Sequence, residues 1–147
     1  MQIRIIFRTF AAVMTNEQIE ERAQAARELF KQGYNCSQSV VGACADAFGI
    51  SDRDMALKMA ASFGGGIGRM RQTCGAACGM FLLEGMRSGS AQPDHEAKMH
   101  NYTRVQALAN AFKEQNGALN CSELLANGKR PCADMVADAV RLVLRDI

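Results

Sequence analysis

Six cysteines carry the reactive chemistry of this chain: Cys36, Cys44, Cys74, Cys78, Cys121 and Cys132. Four of them share a local setting. Cys36, Cys74 and Cys121 each directly follow a capping-type residue (Asn35, Thr73 and Asn120), and Cys132 follows Pro131. All four are therefore expected in the first turn of a helix. There, unpaired N–H groups and the positive end of the helix dipole favour an anion and lower a cysteine pKa. Thiolates so placed ligate metal ions or clusters, or exchange disulfides. Cys44 sits mid-helix between Ala43 and Ala45, and Cys78 lies one turn into its helix below Cys74. Both read as small packing residues.

The spacings exclude several sites. There is no C-x-x-C, hence no thioredoxin-type motif and no C-x-x-C-H for covalent haem. Paired knuckles of a zinc ribbon are absent too. Long, unequal separations between positions 36, 74, 121 and 132 mean that any shared site must be assembled by the tertiary fold. If these four form a site, their sulfurs must converge.

The elements that must position them are legible from caps and periodicity. Thr15 and Gln18 fit a capping box opening a helix with Ile19, Ala23, Ala26 and Phe30 on one face, closed by Gly33. Asn35 caps a second helix, Cys36 to Phe48, stopping at Gly49. Ser51 or Asp52 starts a third, with Met55, Met59 and Ser62 near its inner face, ending at Phe63 before Gly64-Gly65-Gly66-Ile67-Gly68. Thr73 is expected to cap a fourth, Cys74 to Met86, with Cys74, Cys78, Phe81, Leu82 and Gly85 as its stripe. After the turn cluster SGSAQPD comes a long fifth helix with Tyr102, Val105, Ala109 and Phe112 aligned, ended by Gly117. Asn120 caps a short piece, Cys121 to Ala126, and Pro131 begins the last helix, with Cys132, Met135, Ala139 and Val143 on one side. The expectation is an all-α fold, one compact helical domain of about six to seven helices spanning residues 14–147.

Composition narrows the class. The 147 residues are 48% hydrophobic and 22% charged, with net charge +2, no Trp and two Pro. That is enough chain for one core and too balanced for a disordered tail or a nucleic-acid footprint. At about 4% of the chain, cysteine is well below the density of a disulfide scaffold. The start, MQIRIIFRTFAAV, is broken by Arg8 after Ile5-Ile6-Phe7, too early for a secretory core. Residues 1–13 are expected to be an N-terminal extension, with Met14 as the natural start. No segment reaches the apolar length of a membrane span, and a cytoplasmic setting with reduced thiols is expected.

The run Cys74-Gly75-Ala76-Ala77-Cys78-Gly79 fits CGAxxG. With Cys36 upstream (GYNCSQSV), FGGGIGR between, and Cys121 (NCSELL) and Cys132 downstream, the chain resembles the C-GCAxxG-C-C family of redox-active proteins. Carried over position by position, the family cysteines are Cys36, Cys74, Cys121 and Cys132; Cys44 and Cys78 fall outside the four. The resemblance implies redox involvement without a defined reaction. A similar domain occurs in split-Soret cytochromes beside haem-binding and iron–sulfur modules. From the residues, the favoured chemistry is an iron–sulfur cluster, 2Fe–2S with one thiolate from each position. Thiol–disulfide pairs are the alternative, with Cys36–Cys74 or Cys121–Cys132 first in line. A zinc site is less favoured, and a helical interaction module with structural cysteines belongs to a different class. The expected partner is a redox protein, and a homodimer is compatible with such a domain.

Other motifs are weaker. Gly64 to Gly68 lacks both the third glycine of GxGxxG and the Gly-Lys-Ser/Thr of a P-loop, so it reads as a tight turn able to deliver Arg69 to the thiolates. His95 and His100 are poorly spaced for shared ligation. Tyr34 reads as a packing staple, and Met55, Met59, Met80, Met86 and Met99 as core filler. Arg and Lys are dispersed, so no nucleic acid is expected.

Overall fold

Thr15 opens the first helix as its capping box dictates: its hydroxyl accepts from the Gln18 N–H while its own N–H donates to the Gln18 side chain. In this computed structural model, which describes residues 14–128 and 130–145, that helix is α1 (Asn16–Lys31). The N-terminal extension expected at residues 1–13 lies outside the described residues. A second capping box, Asn35 with Gln38, opens α2 (Cys36–Cys44), which tightens into a 3-10 turn at Ala45–Phe48 and stops at Gly49, φ +74°. Asp52 caps α3 (Arg53–Ala60), which runs into a 3-10 turn at Ala61–Phe63. Then come α4 (Gly75–Ser88), α5 (His95–Asn116), α6 (Cys121–Asn127) and α7 (Cys132–Leu144). The fold is all-α. Among the described residues there are seven α-helices and no strand, only an isolated antiparallel bridge between Thr73 and Asn120.

α7 lies deep in the fold, with every residue from Met135 to Val140 inside. It packs on α1, α2, α4 and α5, while α2 bridges α1 to α4. Val40, Met80, Leu83, Leu108, Phe112, Val136 and Val140 form the centre of the core. The contact of α2 with α4 is close because of Gly79. A Cβ there would meet the Ser37 carbonyl oxygen and Val40 Cβ, both at 2.9 Å. That proximity brings the starts of α2 and α4, and so Cys36 and Cys74, to the same end of the fold.

Several faces differ from the periodic expectation. On α3 the buried residues are Ala56, Leu57 and Ala60, while Met55 and Met59 are exposed. Met86 and Met99 are exposed as well, so of the five methionines expected as core filler only Met80 is buried. The small Ala faces allow close helix packing and leave the long thioethers outside. On α5 the inward line is Leu108, Phe112 and Asn116, and Tyr102 points to solvent. On α4 it runs through Ala76, Ala77, Met80, Leu83 and Glu84, with Gly85 exposed.

Glu84 is a fully buried carboxylate. It accepts from Arg87, from Arg104 Nε at 3.0 Å and from Ser88 Oγ at 2.7 Å, while Arg87 also donates to the Val143 carbonyl at 2.8 Å. Desolvation pushes its pKa up, but the Arg87 and Ser88 hydrogen bonds outweigh it and hold the carboxyl below its ordinary value. α4, α5 and α7 are thus tied through one charge. Because the folded-state pKa is depressed, this contribution is present above the ordinary carboxylate range and is lost as pH falls through the folded value. Glu84→Ala, which removes the buried carboxylate shared by Arg87, Arg104 and Ser88, is expected to cost about 3–5 kcal/mol. Urea unfolding at neutral pH measures it; a cost below about 1 kcal/mol would show the network to be dispensable.

Candidate functional site

The four cysteines at helix starts line one cavity. Cys36 is the first residue of α2, Cys121 of α6 and Cys132 of α7, and Cys74 is the N-cap of α4. All four face a space of about 610 Å³. Cys44 and Cys78 do not line it. Cys44 has no exposed surface, and the Cys78 thiol donates to the Thr73 carbonyl at 3.8 Å. His95 and His100 are exposed on α5, away from the cavity lining.

Three local devices set this geometry. Asn35 caps α2 with its side-chain oxygen and donates from Nδ2 to the Ala61 carbonyl at 2.8 Å, fixing the start of α2 against the end of α3. Gln38 adds a bond to the Leu57 carbonyl at 3.1 Å. Next, segment 71–74 runs antiparallel to segment 119–122. Cys74 N–H donates to the Leu119 carbonyl at 2.8 Å, and Cys121 N–H to the Gln72 carbonyl at 2.6 Å. Engaged in this bridge, Thr73 is not the α4 cap expected from sequence; Cys74 takes that position. Third is the loop from Gly64 to Arg71. Its φ is positive at Gly65, Gly66, Ile67, Gly68, Arg69 and Arg71. Ile67, Arg69 and Arg71 each bear a left-handed cost of roughly 1–2 kcal/mol that glycine avoids. Gly66 is required doubly, since a Cβ there would lie 2.6 Å from Cys121 Cβ.

The loop delivers an arginine to the thiols. It is Arg71, whose Nη1 lies 3.8 Å from Cys121 Sγ. Arg69 lines the same cavity and is exposed. Arg71 escaped the sequence-level view because no glycine adjoins it. Its own left-handed φ of 60° is the signal, and that exists only in three dimensions.

The shared helix-start position does not give Cys36, Cys74 and Cys132 a common pKa. Cys36 and Cys132 interact thiol to thiol, and this holds the proton on Cys36, raising it, while drawing Cys132 down to about 6. Burial adds to the rise at Cys36, and the Arg71 charge adds to the fall at Cys132. Cys74 is raised because burial outweighs the N–H groups of Ala77 and Ala76, which act the other way. Burial likewise pushes Cys44 up to about 12 and Cys78 to about 11, as befits packing residues. Cys36 and Cys132 share a hydrogen bond, and the Cys36 side chain also lies against Gly75, next to Cys74. Cys121 is the thiol that bears most strongly on Cys74.

Alkylation provides the check. In the reduced, metal-free protein, Cys132 is expected to react first, with its rate rising through a midpoint near pH 6 rather than in the ordinary thiol range. The thiolate form favours the fold; that contribution is complete above the ordinary thiol pKa and is lost as pH falls through about 6. Cys36→Ala removes the hydrogen bond and should move the midpoint up. A midpoint unchanged by Cys36→Ala would contradict the pairing.

No helix among the described residues is long and apolar enough to cross a membrane. Searches of curated proteins and of solved structures give no match. A family described as "Putative redox-active protein (C_GCAxxG_C_C)" matches residues 34–145, a span holding all four cavity cysteines, the left-handed loop and Arg71. The chain is thus a member of the C_GCAxxG_C_C family of redox-active proteins.

Proposed function

We propose that the protein is an electron-transfer protein whose Cys36, Cys74, Cys121 and Cys132 together ligate a 2Fe–2S cluster. The observation that carries this is the convergence of four thiols from four helices on one cavity. In this proposal one iron takes Cys36 with Cys132, which share a hydrogen bond, and the other takes Cys74 with Cys121. Among the described residues, no three or more Cys, His, Asp or Glu side chains are grouped to hold a single metal ion. That donor arrangement does not fit a mononuclear zinc centre, which needs three or four ligands about one point. Two pairs of thiolates do fit a two-iron core, in which each iron takes two. When bound, such a cluster supplies one-electron transfer.

The chain's own residues have definite tasks in this proposal. The Arg71 guanidinium beside Cys121 offsets the negative charge that four thiolates bring together. Helix-start N–H groups, including those of Ala76 and Ala77 acting on Cys74, do the same and raise the reduction potential. The buried side of the cavity, with Cys74 almost fully covered, limits water. Electrons pass to and from a partner redox protein at the open side.

One observation favours a second chemistry, the contact of the Cys36 thiol with a Cys132 of lowered pKa. On oxidation the Cys36 thiol and the Cys132 thiolate give up one proton and two electrons to an incoming disulfide, which is reduced to one thiol and one thiolate, and form one disulfide. A single experiment separates the two. Anaerobic incubation with ferrous iron and sulfide is expected to give a brown protein, with iron and acid-labile sulfide in equal amounts. Cys→Ser at any of the four should lose both, and Cys44→Ser should keep them. A protein that stays colourless and iron-free, yet traps a reversible Cys36–Cys132 disulfide, would overturn the cluster in favour of exchange.

A further inference from the structure

The cavity is roomier than four sulfurs and a two-iron core require. Its volume of about 610 Å³ falls in the ~300–1,000 Å³ range of small-molecule sites. Phe30, Leu124, Leu125 and Met135 contribute apolar wall, and Leu125 is half exposed at the surface. Among the described residues no Asp or Glu lines the cavity, but two arginines do.

Among the described arginines, these two and Arg53, which donates to the Gly42 carbonyl, are the ones without a carboxylate partner. Arg22, Arg27, Arg87, Arg104, Arg130, Arg141 and Arg145 each pair with a carboxylate. Arg71 has no carboxylate partner among the described residues, and its guanidinium donates to the Cys121 sulfur. The Arg69 guanidinium has neither an ion pair nor a hydrogen bond among the described residues, although a Cβ on Gly65 would lie 2.8 Å from its Cγ, so its stem packs on the loop backbone. Both arginines sit at left-handed φ, 63° and 60°. Strain of this kind persists only where the surroundings over-determine it, and it clusters at binding sites. A guanidinium so held, facing a cavity without acidic residues, matches the fork geometry of a carboxylate or phosphate.

We propose that the cysteine cavity binds a small organic anion, its carboxylate or phosphate held by Arg69 with Arg71, and its apolar body laid against Phe30, Leu124, Leu125 and Met135. This deepens the redox proposal by naming the class of reactant brought to the thiol site, and it rests on that proposal to this extent. Binding itself can be measured without iron, so the two fail separately.

The test is calorimetric titration of the full chain, reduced and iron-free and again after iron–sulfide loading, with hexanoate, hexyl phosphate and inorganic phosphate as probes. At least one hexyl probe is expected to bind more tightly than inorganic phosphate. Arg69→Gln should weaken it about tenfold or more, the loss of one charged hydrogen-bonding group. Lys98→Gln, which removes an exposed charge on α5, should leave it unchanged. Bound probe should also slow alkylation of the cavity cysteines. The proposal is overturned if neither hexyl probe binds, if inorganic phosphate binds as tightly as both, or if Arg69→Gln and Lys98→Gln behave alike. Iron loading without probe binding removes this inference and spares the cluster. Probe binding to a chain that takes up no iron does the reverse.

Discussion

Between Gly64 and Arg71 the backbone is left-handed at six positions, three of them not glycine, and the site depends on that turn. It passes close enough to Cys121 that Gly66 has no room for a methyl group, and close enough to Asn35 that a Cβ on Gly64 would lie 2.6 Å from that side chain. One loop therefore touches the cap of α2 and the first residue of α6 together. Its return strand, residues 71–74, then bonds to segment 119–122 and sets the start of α4. The conformational cost is concentrated where it fixes an arginine against a sulfur.

Around that turn, the helices act as brackets rather than as a uniform source of positive potential. Four cysteines occupy helix starts, yet the acidities of Cys36, Cys74 and Cys132 diverge, because burial and neighbouring thiols outweigh a dipole that fades within one turn. Cys132 is the acidic thiol because Cys36 donates to it and Arg71 lies near; Cys36 holds the proton for the same reason. A site of mixed protonation is the natural resting form of thiols crowded into one cavity, since bringing several negative charges together is costly unless an added cation offsets them. The buried Glu84 cluster and the closely packed α2–α4 contact keep the brackets from shifting.

Much of the fold was legible along the chain because its signals are local. Thr15, Asn35, Asp52 and Asn120 cap helices, and Gly49 and Gly117 end elements at positive φ. The membership of the cavity was legible in part, since caps before cysteines mark helix starts. What the sequence could not carry depends on tertiary contacts. Thr73 is displaced as a cap by a bridge to Asn120, a residue far along the chain. Cys36 meets Cys132, from near the opposite end, only because α2 and α7 pack together. Arg71 reaches the thiols through a backbone conformation that arginine does not prefer. Met55 and Met59 point outward because an alanine-lined face packs more closely than a methionine one.

The central claim is that Cys36 pairs with Cys132 and Cys74 with Cys121 across one cavity. Its most direct measurement is peptide mapping of the reduced, metal-free protein after brief treatment with a short bifunctional thiol reagent under native conditions. The expected products are cross-links Cys36–Cys132 and Cys74–Cys121, both abolished when the chain is unfolded in urea before treatment. Cross-links dominated by Cys44 or Cys78, or four cavity cysteines each modified singly, would contradict it.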